Sequence, residues 1–137
     1  MLRTMSALLL AGLAATASAK TAEPAKLDAG EAKELARALD GKVAGKPVSC
    51  VSTFRGENLR AIGDHTLVYR VSKKLIYRND LQGTCHGLRF GDTLVLKVFG
   101  NQYCRGDIAH AVHLPTGTMS GTCALGDFVP YTSGAAG

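Results

Sequence analysis

Apolar and polar positions follow two different periods along this chain, and the change of period divides it. Between Asp28 and Gly41 the apolar residues recur at helical spacing, and Asp28 with Glu31 forms a capping-box pattern at the start. This stretch predicts one short helix that stops at Gly41. From Val48 onward apolar residues alternate with polar ones, which is typical of β-strands.

The alternating region contains six strand candidates, separated by turns rich in glycine and polar residues. They are Val48–Phe54, Thr66–Val71, Leu75–Arg78, Thr93–Phe99, Ile108–Leu114 and Leu125–Tyr131. Short strands at this spacing predict a mainly β fold. We expect a small antiparallel β-barrel or sandwich of five to six strands, with one short N-terminal helix and disulfide staples.

The N-terminus has the pattern of an export signal. Met1–Ala19 combines a basic residue, a short apolar run and a small-residue cleavage site. We therefore expect a periplasmic or secreted protein with no transmembrane segment in the mature chain. The expected division is a signal peptide (1–19), a flexible lead-in with the short helix (20–47), a β domain (48–132) and a disordered tail (133–137). Lys20–Lys26 is expected to be disordered as well, because it has little apolar area to bury.

Four cysteines in a small exported chain predict two disulfides, formed among Cys50, Cys85, Cys104 and Cys123. Four cysteines allow three pairings, and the sequence alone leaves them open. If Ile108–Leu114 folds back through a turn at Pro115, Cys104 comes close to Cys123. That geometry favours Cys104–Cys123 together with Cys50–Cys85.

The formal charge is +5 at pH 7, which favours contact with anionic surfaces but also serves solubility. Cationic and aromatic residues interleave most densely in one hairpin. Its cations are a candidate anion-binding set: Arg70, Lys73, Lys74 and Arg78. The alternative is a solvated hairpin in which Tyr69 and Tyr77 face the core and the cations simply face water.

No residue is nominated as catalytic, and no metal or cofactor is expected. His110 and His113 are three residues apart, which places them on opposite faces of a strand. His110 shares the apolar face of Ile108 and is expected to be a hydrogen-bonded core histidine. His86 beside Cys85 would suit an activated thiolate only if that cysteine were free. The cysteines show no C-x-x-C pair of the kind that structural zinc sites use.

Five segments carry a family resemblance: Gly41–Cys50, Leu67–Arg70, Tyr77–Asn79, Asn101–Ile108 and Leu125–Tyr131. They resemble an uncharacterised family of small exported alphaproteobacterial proteins, a domain of unknown function. The resemblance covers roughly Gly41 to Tyr131. It implies an exported domain and brings no activity with it.

Two classes of function remain. The first is a non-enzymatic envelope module that is structural or binds a partner, either an anionic envelope surface or another envelope protein, and not nucleic acid. The second is an envelope hydrolase or redox enzyme without a recognisable motif. A cleft with convergent His, Asp or Cys groups would favour an enzyme, whereas a charged surface would favour a binding module.

Overall fold

A computed structural model of the chain describes residues 27–134. The predicted signal peptide, the segment Lys20–Lys26 and residues 135–137 of the predicted tail lie outside the described residues. The mainly β fold with one short N-terminal helix is confirmed. In chain order the elements are α1 (Ala29–Ala38), β1 (Lys42–Ala44), β2 (Cys50–Ser52), β3 (Arg60–Ile62), β4 (Thr66–Arg70), β5 (Leu75–Asp80), a 3-10 turn (Leu88–Phe90), β6 (Thr93–Leu96), β7 (Gln102–Cys104), β8 (Ile108–His113), β9 (Thr118–Ala124) and β10 (Phe128–Ser133).

The helix begins with the predicted capping box. The N–H of Glu31 donates to Asp28 Oδ1 at 2.8 Å, and the N–H of Asp28 donates to Glu31 Oε2 at 3.0 Å. These two bonds satisfy amides that a helix start otherwise leaves unpaired. The buried face of α1 packs Leu35 against Ile62 and Val68 of the neighbouring sheet. A ten-residue helix is marginal alone, so it depends on tertiary contacts such as this one.

The ten strands form three antiparallel sheets. The largest has the order β1-β10-β5-β4-β3, the second pairs β2 with β7, and the third has the order β6-β8-β9. In the described part of the chain these sheets do not join into one closed barrel. The sequence predicted five to six strands, and the difference comes mainly from elements of only three residues.

Several strands were not predicted because their sequences show no apolar alternation. β9 is the clearest case, since four of its seven residues are exposed and only Cys123 is buried. β1 lies inside the stretch interpreted as flexible, and it pairs with β10, which includes Ser133. Conversely, the predicted strand Thr93–Phe99 ends at Leu96, before the turn in which Gly100 has φ 76°.

The main core lies between the sheets and contains a chain of aromatic rings. Tyr69 packs edge-on against Tyr103, with ring centroids 5.7 Å apart, and lies 6.4 Å from Tyr77. Tyr77 in turn packs edge-on against Phe128 at 6.3 Å. The hydroxyl of Tyr69 donates to the carbonyl of Ser52 at 2.7 Å, so its polar end is satisfied although only 1% of the residue is exposed.

Both disulfides form, but the favoured pairing is wrong: the bridges are Cys50–Cys104 and Cys85–Cys123. The turn at Pro115 does fold the chain back. However, the register of β8 with β9 places Cys123 opposite Ala109, next to the buried Cys85 and away from Cys104. Cys104 instead lies on β7, directly opposite Cys50 on β2.

Candidate anion-binding groove

Some cationic side chains of the β4–β5 hairpin lie on the side of the large sheet that α1 covers. Val68 and Arg70 lie two residues apart on β4 and therefore share one side. Ile76 is paired directly with Arg70. Arg60 on β3 is paired directly with Val68. Because directly paired residues point the same way, all four side chains face the helix side of the sheet.

Five cationic side chains surround an open groove of about 410 Å³ on this side. They come from the last turn of α1, from β1, β3 and β4, and from the turn of the hairpin: Arg37, Lys42, Arg60, Arg70 and Lys73. The apolar floor between them includes Ala38, Val68 and Ile76. Cations that converge on one concavity raise its potential more than the same charges spread over a convex surface.

Little negative charge compensates these cations. Within the described residues, Glu57 is the one carboxylate that lines the groove. Glu34 Oε1 lies 3.1 Å from Arg60 Nη1, in an ion pair whose two side chains are about half exposed. Exposed pairs of this kind contribute about 0–1 kcal/mol and are easily exchanged for another anion. In residues 27–134 the other four groove cations form no salt bridge.

A buried ion network fixes the helix that forms one wall of the groove. Arg89 Nε lies 2.9 Å from Asp64 Oδ2, and Arg89 Nη2 lies 3.1 Å from Glu31 Oε1. The backbone N–H of Arg89 also donates to Asp64 Oδ1 at 2.9 Å. The two carboxylate side chains are only 7% and 10% exposed. Because α1 is tied at its first turn, the helix that carries Arg37 is held against the sheet.

The structure brings two of the four predicted anion-binding residues into the groove, Arg70 and Lys73, and leaves out the other two. Lys74 is exposed and does not line the groove, and its carbonyl accepts a hydrogen bond from the N–H of Ser133. Arg78 Nε lies 3.0 Å from Asp80 Oδ1. Burial alone would lower the pKa of Arg78, but its interactions with Asp80 and, secondly, with Tyr131 together outweigh burial and raise that pKa. Arg78 is thus a charged residue whose charge is already compensated.

Three cations of the groove were not predicted from the sequence. Arg37, Lys42 and Arg60 lie on three different elements, and no local pattern connects them to the hairpin. Strand pairing within the large sheet brings in Arg60 and Lys42, and the packing of α1 across that sheet brings in Arg37. The inward placement of Tyr69 and Tyr77, which the solvated-hairpin interpretation expected, is correct. It is compatible with anion binding, because the tyrosines and the groove cations use opposite sides of the sheet.

A second polar cluster lies at one end of the third sheet and bears on the enzymatic alternative. His113 Nδ1 lies 3.0 Å from Asp92 Oδ1, and the hydroxyl of Ser120 donates to the other oxygen of the same carboxylate. The Ser120 bond, and secondly the contact with His113, lower the pKa of Asp92. A serine nucleophile needs its hydroxyl held by the imidazole that removes its proton. Here the Asp92 carboxylate binds both His113 and Ser120, an arrangement that stabilises this end of the sheet.

The remaining histidines stand apart from the groove. His110 was expected in the core, but alternation along β8 buries Ala109 and Ala111 instead and turns His110 outward with the half-exposed Ile108. Its Nδ1 lies 3.0 Å from Thr122 Oγ1. His86 is exposed beside the bridged Cys85. Residues 27–134 contain no group of three or more His, Cys, Asp or Glu side chains placed to hold a metal ion.

Comparison with known proteins places the chain in a family. It belongs to DUF6491, a family of unknown function, whose model matches residues 1–130. No curated protein and no solved structure matches it. No helix within residues 27–134 has the length and apolarity needed to cross a membrane. The family assigns no activity, so the function has to be argued from the groove.

Proposed function

We propose that this protein is a non-enzymatic module of the cell envelope that binds an anionic envelope molecule in the groove between α1 and the β3–β4–β5 face. The observation that carries the proposal is the convergence of five cations around one concavity with a single carboxylate in its lining. The chemistry that fits is a compact group with clustered phosphates. Such a group occurs on anionic lipids and on phosphorylated glycans.

The spacing of the cations over several elements supports a multiply charged ligand. A single charge would contact one or two of them, whereas clustered phosphates engage the wall formed by Arg37 and the hairpin wall formed by Arg70 and Lys73 together. Arginine is suited to this task because its guanidinium donates two parallel hydrogen bonds to phosphate oxygens. The apolar floor adds contact area without adding a competing charge.

Binding of this kind is electrostatic and depends on salt. Exposed charges are screened over about 8 Å at physiological ionic strength. Each Lys or Arg close to an anionic surface contributes about 1 kcal/mol. Neutralising two groove cations therefore costs about 2 kcal/mol, which is roughly a 30-fold rise in Kd.

The test compares two double variants that lose the same net charge. Arg70→Gln with Lys73→Gln removes two groove cations, while Lys74→Gln with Lys97→Gln removes two exposed cations outside the groove lining. We expect the groove variant to lose affinity for phosphatidylglycerol vesicles or for a phosphorylated oligosaccharide, and the control to keep it. The probe that binds identifies the source of the phosphates. Equal loss in both variants would mean that only net charge matters and would contradict the groove.

The proposal includes export. The pattern of residues 1–19 supports a cleaved signal peptide, and two disulfides fit an oxidising compartment. The rest of the expected division belongs to the same proposal, except that Lys42–Ala44 and Ser133 are paired in the large sheet and therefore belong to the β domain. Fractionation of cells that make the full chain, with mass measurement of the product, is expected to find a protein beginning at Lys20 outside the cytoplasm. A full-length cytoplasmic product would contradict it.

A further inference from the structure

The two disulfides have opposite surroundings. Cys85 is 0% exposed and Cys123 is 5% exposed, and both belong to the main core. Cys50 is exposed, and Cys104 is partly exposed. Thiol–disulfide exchange needs a thiolate to reach one sulfur of the bridge, so access separates the two bridges.

The two disulfides do not differ much in the entropy of the loop that each one closes. The bridges join residues 54 and 38 positions apart, and loop-closure entropy changes only slowly over that range. The difference therefore lies in what each bridge is packed in. Reduction of Cys85–Cys123 requires the core to open, whereas Cys50–Cys104 can be reached from solvent.

Contacts other than the Cys50–Cys104 disulfide also hold the β2–β7 sheet together. Beyond the β2–β7 ladder, the N–H of Arg105 donates to the carbonyl of Ser49 at 2.7 Å, and that of Thr53 to Asn101 at 2.9 Å. Val51 on β2 is 6% exposed and packs in the main core. These contacts keep β2 and β7 together when the two sulfurs are separate thiols.

Cys50 lies at an open cleft that an attacking group can enter. The cleft has a volume of about 410 Å³, and its walls include Arg55, Val71 and Tyr77. A cation beside a disulfide favours the approach of a thiolate. The apolar and aromatic walls give contact surface to the chain that carries this thiolate.

From these observations we propose that Cys50–Cys104 is a thiol–disulfide exchange site for a dithiol oxidoreductase, and that Cys85–Cys123 is a permanent bridge. One thiolate of the dithiol attacks Cys50 Sγ and forms a mixed disulfide. The electron pair of the original S–S bond leaves on Cys104, which takes a proton from water. The second thiol of the oxidoreductase then loses its proton and attacks the oxidoreductase sulfur that is bonded to Cys50. This step releases Cys50 as a thiolate. Two electrons pass from the dithiol, which is oxidised, to the bridge, which is reduced.

This site is independent of the anion-binding groove. The groove lies between α1 and the helix side of the large sheet, whereas Cys50, Tyr69 and Tyr77 line the cleft on the opposite side of that sheet. The proposal of an exchange site therefore does not depend on the proposal of an anion-binding groove, and an experiment can contradict either one alone.

The test uses the wild-type oxidised protein, limiting dithiothreitol, quenching by acid and alkylation, with peptide mass spectrometry to locate the label. We expect Cys50 and Cys104 to be labelled at least about tenfold faster than Cys85 and Cys123, with an unchanged near-ultraviolet circular dichroism spectrum. Equal rates for both pairs, earlier labelling of Cys85 and Cys123, or loss of the spectrum together with the first label would overturn the proposal.

A second measurement tests whether a mixed disulfide, the intermediate of the proposed exchange, can form at Cys50. In a Cys104→Ala variant, Cys50 is a free thiol at the cleft. We expect it to form a mixed disulfide with glutathione disulfide in the folded protein, seen as an adduct on the peptide that contains Cys50. Absence of this adduct in the folded variant would overturn the assignment of Cys50 as the sulfur that reacts.

Discussion

Replacement of Asn79 by alanine is the most informative perturbation of the fold. Asn79 is fully buried at 0% exposure on β5. Its amide nitrogen donates to the carbonyl of Gly126 at 2.8 Å, and its side-chain oxygen accepts from the N–H of Gly126 at 2.8 Å. One side chain thus satisfies both backbone groups of a buried residue 47 positions away.

The cost of Asn79→Ala follows from these two bonds. A buried donor or acceptor left without a partner costs about 1–3 kcal/mol, so two of them cost about 2–6 kcal/mol. Small domains have a total stability of about 5–15 kcal/mol. Because 1 kcal/mol corresponds to about 4 °C in a domain slightly larger than 100 residues, we expect Tm to fall by at least about 8 °C.

Thermal and urea unfolding of the oxidised protein, followed by circular dichroism, measure this cost. Gly126→Ala is a second probe of the same contact, because a Cβ at that position would collide with the backbone carbonyl of Asp80. Both variants are expected to be destabilised. A Tm for Asn79→Ala within about 2 °C of wild type would refute the reasoning, because water would then satisfy Gly126 equally well.

An aspartate at the same position adds a pH test. Asn79→Asp keeps the acceptor but buries a charge against the carbonyl of Gly126, which raises the folded pKa of the new carboxyl above its unfolded value of about 3.9. The folded state then binds more protons, so stability falls as pH rises from the unfolded pKa towards the folded one. We expect the variant to lose more stability at pH 7 than at pH 4, and equal loss at both would contradict this.

Two further predictions concern single side chains. Hydrogen bonding by Ser120, together with His113, lowers the pKa of Asp92; its stabilising contribution is therefore present above the unfolded pKa and lost as pH falls through the folded one. Asp92→Asn is accordingly expected to be less stable than wild type in urea at pH 7, with a difference that shrinks below about pH 4, and a constant difference would contradict it. Tyr69→Phe removes the donor to the carbonyl of Ser52, and we expect a loss of about 1 kcal/mol in the same assay, whereas an unchanged midpoint would contradict it.

Local patterns in the sequence predicted the elements whose stability is local. The capping box of Asp28 and Glu31 predicts α1, and alternation predicts the β4–β5 hairpin. The inward placement of Tyr69 and Tyr77 agrees with the solvated-hairpin alternative. Alternation on β8 was also correct, yet the wrong face was expected inside. The small residues Ala109 and Ala111 are buried there because Cys85 and Cys123 pack closely behind them.

Long-range pairing could not be predicted, because nothing local encodes it. The disulfide connectivity depends on β2 lying beside β7, which are more than 50 residues apart in the chain. The groove depends in the same way on α1 crossing the sheet. For this reason the sequence indicated Arg70 and Lys73 but not Arg37. The contact of Arg78 with Asp80 is local, because residues two apart on a strand share a face. It was missed because the predicted strand ended at Arg78, whereas β5 extends to Asp80.

The most direct test of the central claim is a nuclear magnetic resonance titration of the oxidised protein with inorganic pyrophosphate, which carries clustered phosphates without a lipid or sugar. The account predicts saturable shifts of backbone amide and arginine side-chain signals that converge on Arg37, Arg60, Arg70 and Lys73, and that diminish as salt is raised. Shifts spread evenly over the exposed lysines and arginines, Lys74 included, would contradict a built anion site.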